Sequence, residues 1–401
     1  MTAKFDKIVE RRGTNSVKWD ACKNTFARDD LLPMWVADSD WPAPGPVIEA
    51  VKKRVEHGIF GYTEPGEELD RVVVNWVKRR YNWEIKSEWL VYISGVVPAI
   101  NVSLKTFTGP GGKVIVQPPV YAPFFAAVEK SGARLIENQL ILIENKYKMD
   151  LNDLEEKLLV ISKGGKTEKD TGSHNMLIFC SPHNPVGRVW SKEELEELGN
   201  LCLKYNIIII SDEIHGDLIY SGYRQIPIAS ISKEIAANTI TMIAPSKTFN
   251  LAGFGAAVAI IPDKKMRDSF TNTMQGFVTN GNLIAYTAMK AAYSQSDQWL
   301  SDQMAYLEKN RDFAVEYINS FIPGIKVLKP EGTYLLWLDC RNLNLNNKVL
   351  ETFMVEEAGV GLNSGKWFGN GGEGFMRLNM ACPRAILEEG LERIRKAVKK
   401  L

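Results

Sequence analysis

Four consecutive isoleucines, Ile207–Ile210, restrict what this chain can become more than any other feature. A half-solvated strand would alternate apolar with polar residues. An unbroken β-branched run suits a strand buried on both faces, as in a parallel sheet covered by helices. Further apolar stretches predict strands at Trp89–Ser94, Lys113–Gln117, Arg134–Glu137, Met176–Cys180, Thr239–Ala244 and Ala256–Ile261. Helices are predicted at Pro46–His57, Gly95–Thr108 and Tyr121–Lys130. A further helix runs from the capping box Ser191-Lys-Glu-Glu194 to about Tyr205. Strands and helices alternating in this way predict an α/β class fold with a mostly parallel, doubly wound sheet.

At 401 residues the chain has room for a second unit. After about residue 290 the texture changes. A helix is predicted over Asp297–Phe321, short strands near Ile325–Leu328 and Tyr334–Asp339, and a helix near Lys348–Glu357. A strand at Gly374–Asn379 and a helix over Arg384–Lys400 close the chain. The expected division is an arm over residues 1–45, a large domain over 46–290 and a smaller α+β domain over 291–401, which the arm joins. The arm carries Trp19, Trp35 and Trp41 among prolines and reads as extended. The polar stretch Ser162–Ser173 reads as an exposed, mobile insertion.

Charge and cysteine usage exclude several roles. Lysine plus arginine is 49 and aspartate plus glutamate 48, a net charge of +1, so no nucleic-acid partner is expected. The five cysteines are dispersed, with no C-x-x-C pair, and the four histidines form no metal signature. No apolar run approaches the ~20 residues of a membrane span. The start of the chain has no apolar signal core. A cytoplasmic location fits best, with no membrane and no metal.

In open α/β sheets, ligands bind beyond the carboxyl ends of the strands. Chemically capable groups follow four of the predicted strands. Lys247 lies in Pro245-Ser-Lys-Thr-Phe249, after an apolar strand. A lysine there is costly unless neutral, paired or covalently used, and a bond to the aldehyde of pyridoxal 5'-phosphate (PLP) would use it. Asp212, 35 residues earlier, could hold the pyridine nitrogen protonated, although a helix N-cap explains it equally well. Asn184 could donate to the phenolic oxygen, and Tyr121 could stack on the ring. Ser94-Gly-Val96-Val97 opens a helix whose N–H groups suit a phosphate, with Ser246 adding a hydroxyl. Arg377 offers a fork of donors for the α-carboxylate of an amino-acid substrate.

The segments SPHNPVGRVW, SDEIHGDL, SKTFNLAG and RLNMACPR together resemble the fold-type I PLP enzymes of the aminotransferase class I/II superfamily. RRGTNSVKWD, LPMWVADSDW, HGIFGYT and SGVVPAI resemble its MalY/PatB-type cystathionine β-lyases, the C-S lyases. The resemblance implies a homodimer with active sites at the subunit interface, where Tyr62 reaches the phosphate of the neighbouring subunit. It also implies α,β-elimination of L-cystathionine or a related thioether to a thiol, pyruvate and ammonia. The alternatives are an amino-acid aminotransferase and a PLP-binding regulatory protein. Many aminotransferases place an arginine eight residues after the lysine, where this chain has Gly255, so phosphate binding must lean on other donors. His215 stands where many have a tyrosine. Ser39 and Trp41 replace residues common in the subgroup and are expected to bear on substrate fit. His57 and His183 read as structural.

Overall fold

Seven strands build the main sheet: β1 (Leu90–Ile93), β2 (Lys113–Val116), β3 (Arg134–Glu137), β4 (Asn175–Cys180), β5 (Ile207–Asp212), β6 (Thr239–Ile243) and β7 (Ala257–Ile260). The computed structural model, which describes residues 3–109, 111–163 and 174–401, orders them β1-β7-β6-β5-β4-β2-β3. β2 to β6 run parallel, and β7 runs antiparallel to both its neighbours. The predicted strands are present to within two residues at each end.

The isoleucine run lies in the central strand β5, and its side chains divide between the two faces. Ile208 and Ile210 pack in one apolar cluster with Ile100, Leu104 and Phe124. Ile207 and Ile209 pack in another with Leu195 and Leu198. Alternation of side chains along a strand requires this split, and helices on both faces supply the two clusters. The main helices are α1 (Gly45–Glu56), α2 (Gly66–Tyr81), α3 (Val96–Phe107), α4 (Lys192–Lys204) and α5 (Leu283–Gln295). The capping box opens α4 as the sequence predicts, with Glu194 N–H donating to Ser191 Oγ at 3.2 Å and Ser191 N–H to Glu194 Oε2 at 2.8 Å.

A second, antiparallel sheet is formed by β8 (Lys326–Val327), β9 (Leu335–Asp339), β10 (Asn363–Ser364) and β11 (Phe375–Asn379), in the order β8-β9-β11-β10. Helices α6 (Asp297–Phe321) and α7 (Arg384–Val398) pack with it. The change of texture near residue 290 falls inside α5, which packs on α1 and α2. The chain turns at Ser296, between α5 and α6.

The arm differs from expectation. It contains three one-turn helices, Ala3–Asp6, Val17–Asp20 and Cys22–Phe26, where an extended course is predicted. Helices of four or five residues are too short to print a period on the sequence. Leu32–Pro33 pairs in parallel with Val360–Gly361, and Phe5, Met34 and Trp41 bury in the cluster that contains Leu335, Leu378 and Leu391. From residue 164 to 173, the polar stretch predicted to be an insertion lies outside the described residues.

A buried charge cluster holds the arm together. Asp40 accepts from Lys18 Nζ at 2.6 Å, Arg11 Nη1 at 2.6 Å and Trp19 Nε1 at 3.0 Å. Burial alone would raise the Asp40 carboxyl, but the Lys18 charge and these hydrogen bonds outweigh it and hold the group below its ordinary value. Lys18 is 1% exposed, so removing Asp40 leaves a buried charge with only the longer contact to Asp38 at 3.8 Å. Asp40→Ala is expected to cost about 3–5 kcal/mol, read as a lower urea midpoint. Because the folded-state value is depressed, the contribution is full at neutral pH. It is lost as the pH falls below about 4. A midpoint equal to wild type at pH 7 would contradict this account.

Candidate active site

The carboxyl ends of β4, β5 and β6 face the start of α3 and the loop before β7 across a cavity of about 420 Å³. Nine of the ten residues predicted for the site line it: Val96, Val97, Tyr121, Asn184, Asp212, His215, Ser246, Lys247 and Arg377. The tenth, Tyr62, lies outside it, fully exposed in the segment between α1 and α2.

The ends of β5 and β6 deliver the carboxylate and the amine. Asp212 is the last residue of β5, opposite Cys180 at the end of β4. Its carboxylate accepts from the Ile214 N–H at 3.1 Å, and burial pushes it up to about 6. Lys247 rides the single turn Pro245–Thr248 that follows β6. Behind it, Thr248 Oγ1 donates to the buried carboxylate of Asp217 at 2.9 Å, which clamps the turn. Lys247 Nζ donates to the Ala37 carbonyl at 2.7 Å. Burial, reinforced by the positive charge of Arg377, brings the amine down to about 8.

Arg377 comes from β11 and enters the cavity from the small sheet. Its Nη1 donates to Asn184 Oδ1 at 3.0 Å, and its Nη2 to Trp35 O at 2.8 Å and Asn363 Oδ1 at 2.7 Å. Its Nε is buried without a partner. Burial lowers the guanidinium to about 10. With its oxygen taken by Arg377, Asn184 keeps its NH₂ group as a donor toward the cavity it lines. His215 is buried, and burial drives its imidazole well below the ordinary value, so it is neutral. Its ring meets Tyr334 edge-on at 6.0 Å.

The start of α3 could hold an anion. Gly95 caps it without a side-chain hydrogen bond, so the first-turn N–H groups at Val96 and Val97 have no intrahelical partner. Ser94 and Ser246 flank it. Gly255 closes the same wall at φ +63°, where a Cβ would come within 3.1 Å of Ser94 O. Backbone geometry therefore requires glycine here, beside the start of α3. Among the described residues, no cluster of His, Cys, Asp or Glu could hold a metal.

Several expectations change. Ser39 and Trp41 do not line the cavity; Trp41 packs against Phe5 and Tyr306 in the apolar cluster beneath the small sheet. Their backbone oxygens instead accept from Asn250 Nδ2 at 2.9 and 3.0 Å. His57 is an exposed helix C-cap. His183 is buried edge-on to Trp190 and burial lowers it to about 3. Residues that sequence reasoning missed are Trp35, Ala37, Asn363 and Tyr334. Two of them act through backbone carbonyls, which leave no mark on residue type. Asn363 sits in a two-residue strand and Tyr334 just before β9, and sequence alone does not supply the register of either.

The family model for aminotransferase class I and II matches residues 38–394. The chain belongs to that family. Within it, the chain is 43% identical to cystathionine beta-lyase PatB of Bacillus subtilis (strain 168), over 98% of this chain and 99% of that protein. Cystalysin from Treponema denticola, whose crystal structure contains a pyridoxal 5'-phosphate cofactor, has a TM-score of 0.92 at 36% identity. That match covers 99% of this chain and 98% of cystalysin. The PLP-bound C-S lyase from Staphylococcus hominis has a TM-score of 0.89 at 30% identity, with 98% of each chain covered.

A lysine in this setting should react unlike a surface lysine. In cofactor-free protein, competitive acylation followed by peptide mass analysis is expected to give Lys247 a midpoint of about 8. Surface lysines should titrate near ~10.4. A Lys247 midpoint with the surface group would contradict the burial argument.

Proposed function

We propose that this member of the family is a PLP-dependent carbon–sulfur β-lyase. It cleaves L-cystathionine, or a related cysteine S-conjugate, to a thiol, pyruvate and ammonia. For cystathionine the thiol is homocysteine. One observation carries the reading: a buried amine, carboxylate and guanidinium converge on one cavity, in a chain 43% identical to a cystathionine beta-lyase along its full length. Transamination needs the same three groups, and the relatives favour elimination.

The donor set fits PLP. Asp212 suits the pyridine nitrogen, the Asn184 amide the phenolic oxygen, Lys247 the aldehyde and the Tyr121 ring the pyridine face. The phosphate would take the α3 N-terminus with Ser94 and Ser246, which supply donors where Gly255 has none. When bound, PLP supplies an electron sink for the pair left on Cα as the α-proton departs.

The residues of the chain do the rest. Arg377, already held by Asn184, Asn363 and Trp35, is set to bind the α-carboxylate through its fork and so to orient the Cα–H bond. Both Nη2 hydrogens are already donated, so a bidentate carboxylate takes the place of one of these bonds when it binds. Lys247 Nζ takes the α-proton, and its low proton affinity keeps a share of neutral amine near pH 8. Asp212 holds a proton at the ring nitrogen. The C–S bond breaks with its electron pair on sulfur, which takes up a proton and leaves as the thiol. Water hydrolyses the remaining three-carbon enamine to pyruvate and ammonia.

The active unit in this reading is a homodimer. Ile59, Phe60 and Tyr62 form an apolar run that is 67%, 60% and 112% exposed, a surface suited to burial against a second copy. There the partner subunit's Tyr62 would reach the phosphate. All five cysteines are free and buried, in keeping with the cytoplasm.

The test uses PLP-loaded protein with L-cystathionine and no oxo acid. Thiol and pyruvate are expected in equal amounts. Product that forms only with an added 2-oxo acid would make the protein an aminotransferase. Lys247→Ala should abolish turnover and the long-wavelength absorbance of bound cofactor while leaving the circular dichroism unchanged. Arg377→Lys should lower kcat/KM about 10- to 100-fold, since a point charge replaces a bidentate fork.

A further inference from the structure

The stretch Trp35–Asp38 borders the cavity, and its carbonyls are taken in a fixed pattern. Asn379 Nδ2 donates to Val36 O and to Asp38 O, each at 2.6 Å. Its own Oδ1 accepts from the Ala381 N–H at 2.8 Å, so the amide cannot turn over without losing three bonds. Asp38 N–H also donates to Val36 O at 2.9 Å, closing a three-residue turn around Ala37. With the carbonyls on either side drawn to Asn379, that of Ala37 is left for other donors. Those donors are Lys247 Nζ at 2.7 Å and the hydroxyl of the buried Tyr334 at 2.9 Å. Asn379 lies two residues after Arg377, so both side chains leave β11 on the same face and grip the same stretch of arm.

We propose that the Ala37 carbonyl is the acceptor that holds the Lys247 amine whenever that amine is free, and that Asn379 and Tyr334 are positioning residues that present it. The inference rests on Lys247 being the lysine that bonds the cofactor. A carbonyl acceptor stabilises the ammonium form. It therefore acts with the charges of Asp38 and Asp212, which also favour the ammonium, and against burial and the Arg377 charge, which favour the neutral amine. Tyr334 shares the oxygen and weakens its hold on the lysine. Asn379 keeps the oxygen in place. The two residues thus act on the proton affinity of Lys247 with opposite sign.

Competitive acylation of Lys247 across pH, in cofactor-free protein, tests this. Asn379→Ser removes the grip, and the Lys247 proton affinity should fall about threefold or more. Tyr334→Phe leaves the oxygen to the lysine alone, and the affinity should rise about twofold or more. Opposite shifts support the proposal. Two unchanged midpoints, or two shifts in the same direction as expected of general loosening, overturn it. Should Asn379→Ser fail to fold, Tyr334→Phe decides alone: a rise supports the proposal, and no change or a fall overturns it. A control separates the two readings. PLP added to wild-type protein should shield Lys247 from acylation. Lack of shielding would remove Lys247 as the cofactor lysine, whatever the variants do.

Discussion

A guanidinium taken out of water must be surrounded by acceptors, and the acceptors that Arg377 finds come from three separate stretches of chain. Trp35 belongs to the arm, Asn184 to the loop after β4 and Asn363 to the small sheet. Each bond to a charged donor is worth about 1.5–3 kcal/mol, and leaving the charge unpaired would cost more. Arg377 thus links arm, large sheet and small sheet through a single side chain. Together the three also enclose the cavity.

The same accounting explains why polar groups collect at one edge of the main sheet. Inside the sheet, apolar side chains fill both faces. At the last strand residues the backbone ends its pairing, and room opens for Asp212 and, just beyond, for Asn184 and the turn bearing Lys247. β7 runs against its neighbours, so its start, not its end, meets this edge. That is why Gly255 and Ala256 join the wall. Burial then sets the chemistry. It raises Asp212, lowers Lys247 and leaves His215 neutral.

Much of this was legible in the residue order. The isoleucine run and the strand ends that carry Asn184, Asp212 and Lys247 follow from apolar patterning alone. So does the uncapped start of α3. Arg377 could be placed on a strand but not next to Asn184, because 193 residues separate them and no local rule spans that distance. The Ala37 carbonyl was invisible, since any residue supplies one. Helix α2 went unread although Leu69, Val73, Trp76 and Val77 bury along it. Its Val72-Val73-Val74 run carries a strand preference that packing overrides. In the arm, three single turns replace an extended course because tertiary contacts, above all the Asp40 cluster, decide what four residues do.

The bond between Arg377 and Trp35 spans 342 positions of a 401-residue chain. During synthesis the first partner waits while nearly all of the polypeptide is made, at about 5–20 residues per second. The main sheet can collapse on the ribosome well before that. The arm cannot be locked until β11 has left the exit tunnel. A chain that stops short of that strand contains every strand of the large sheet, with Lys247 and Asp212, and still lacks Arg377. Completion of the site thus doubles as a check on the length of the message.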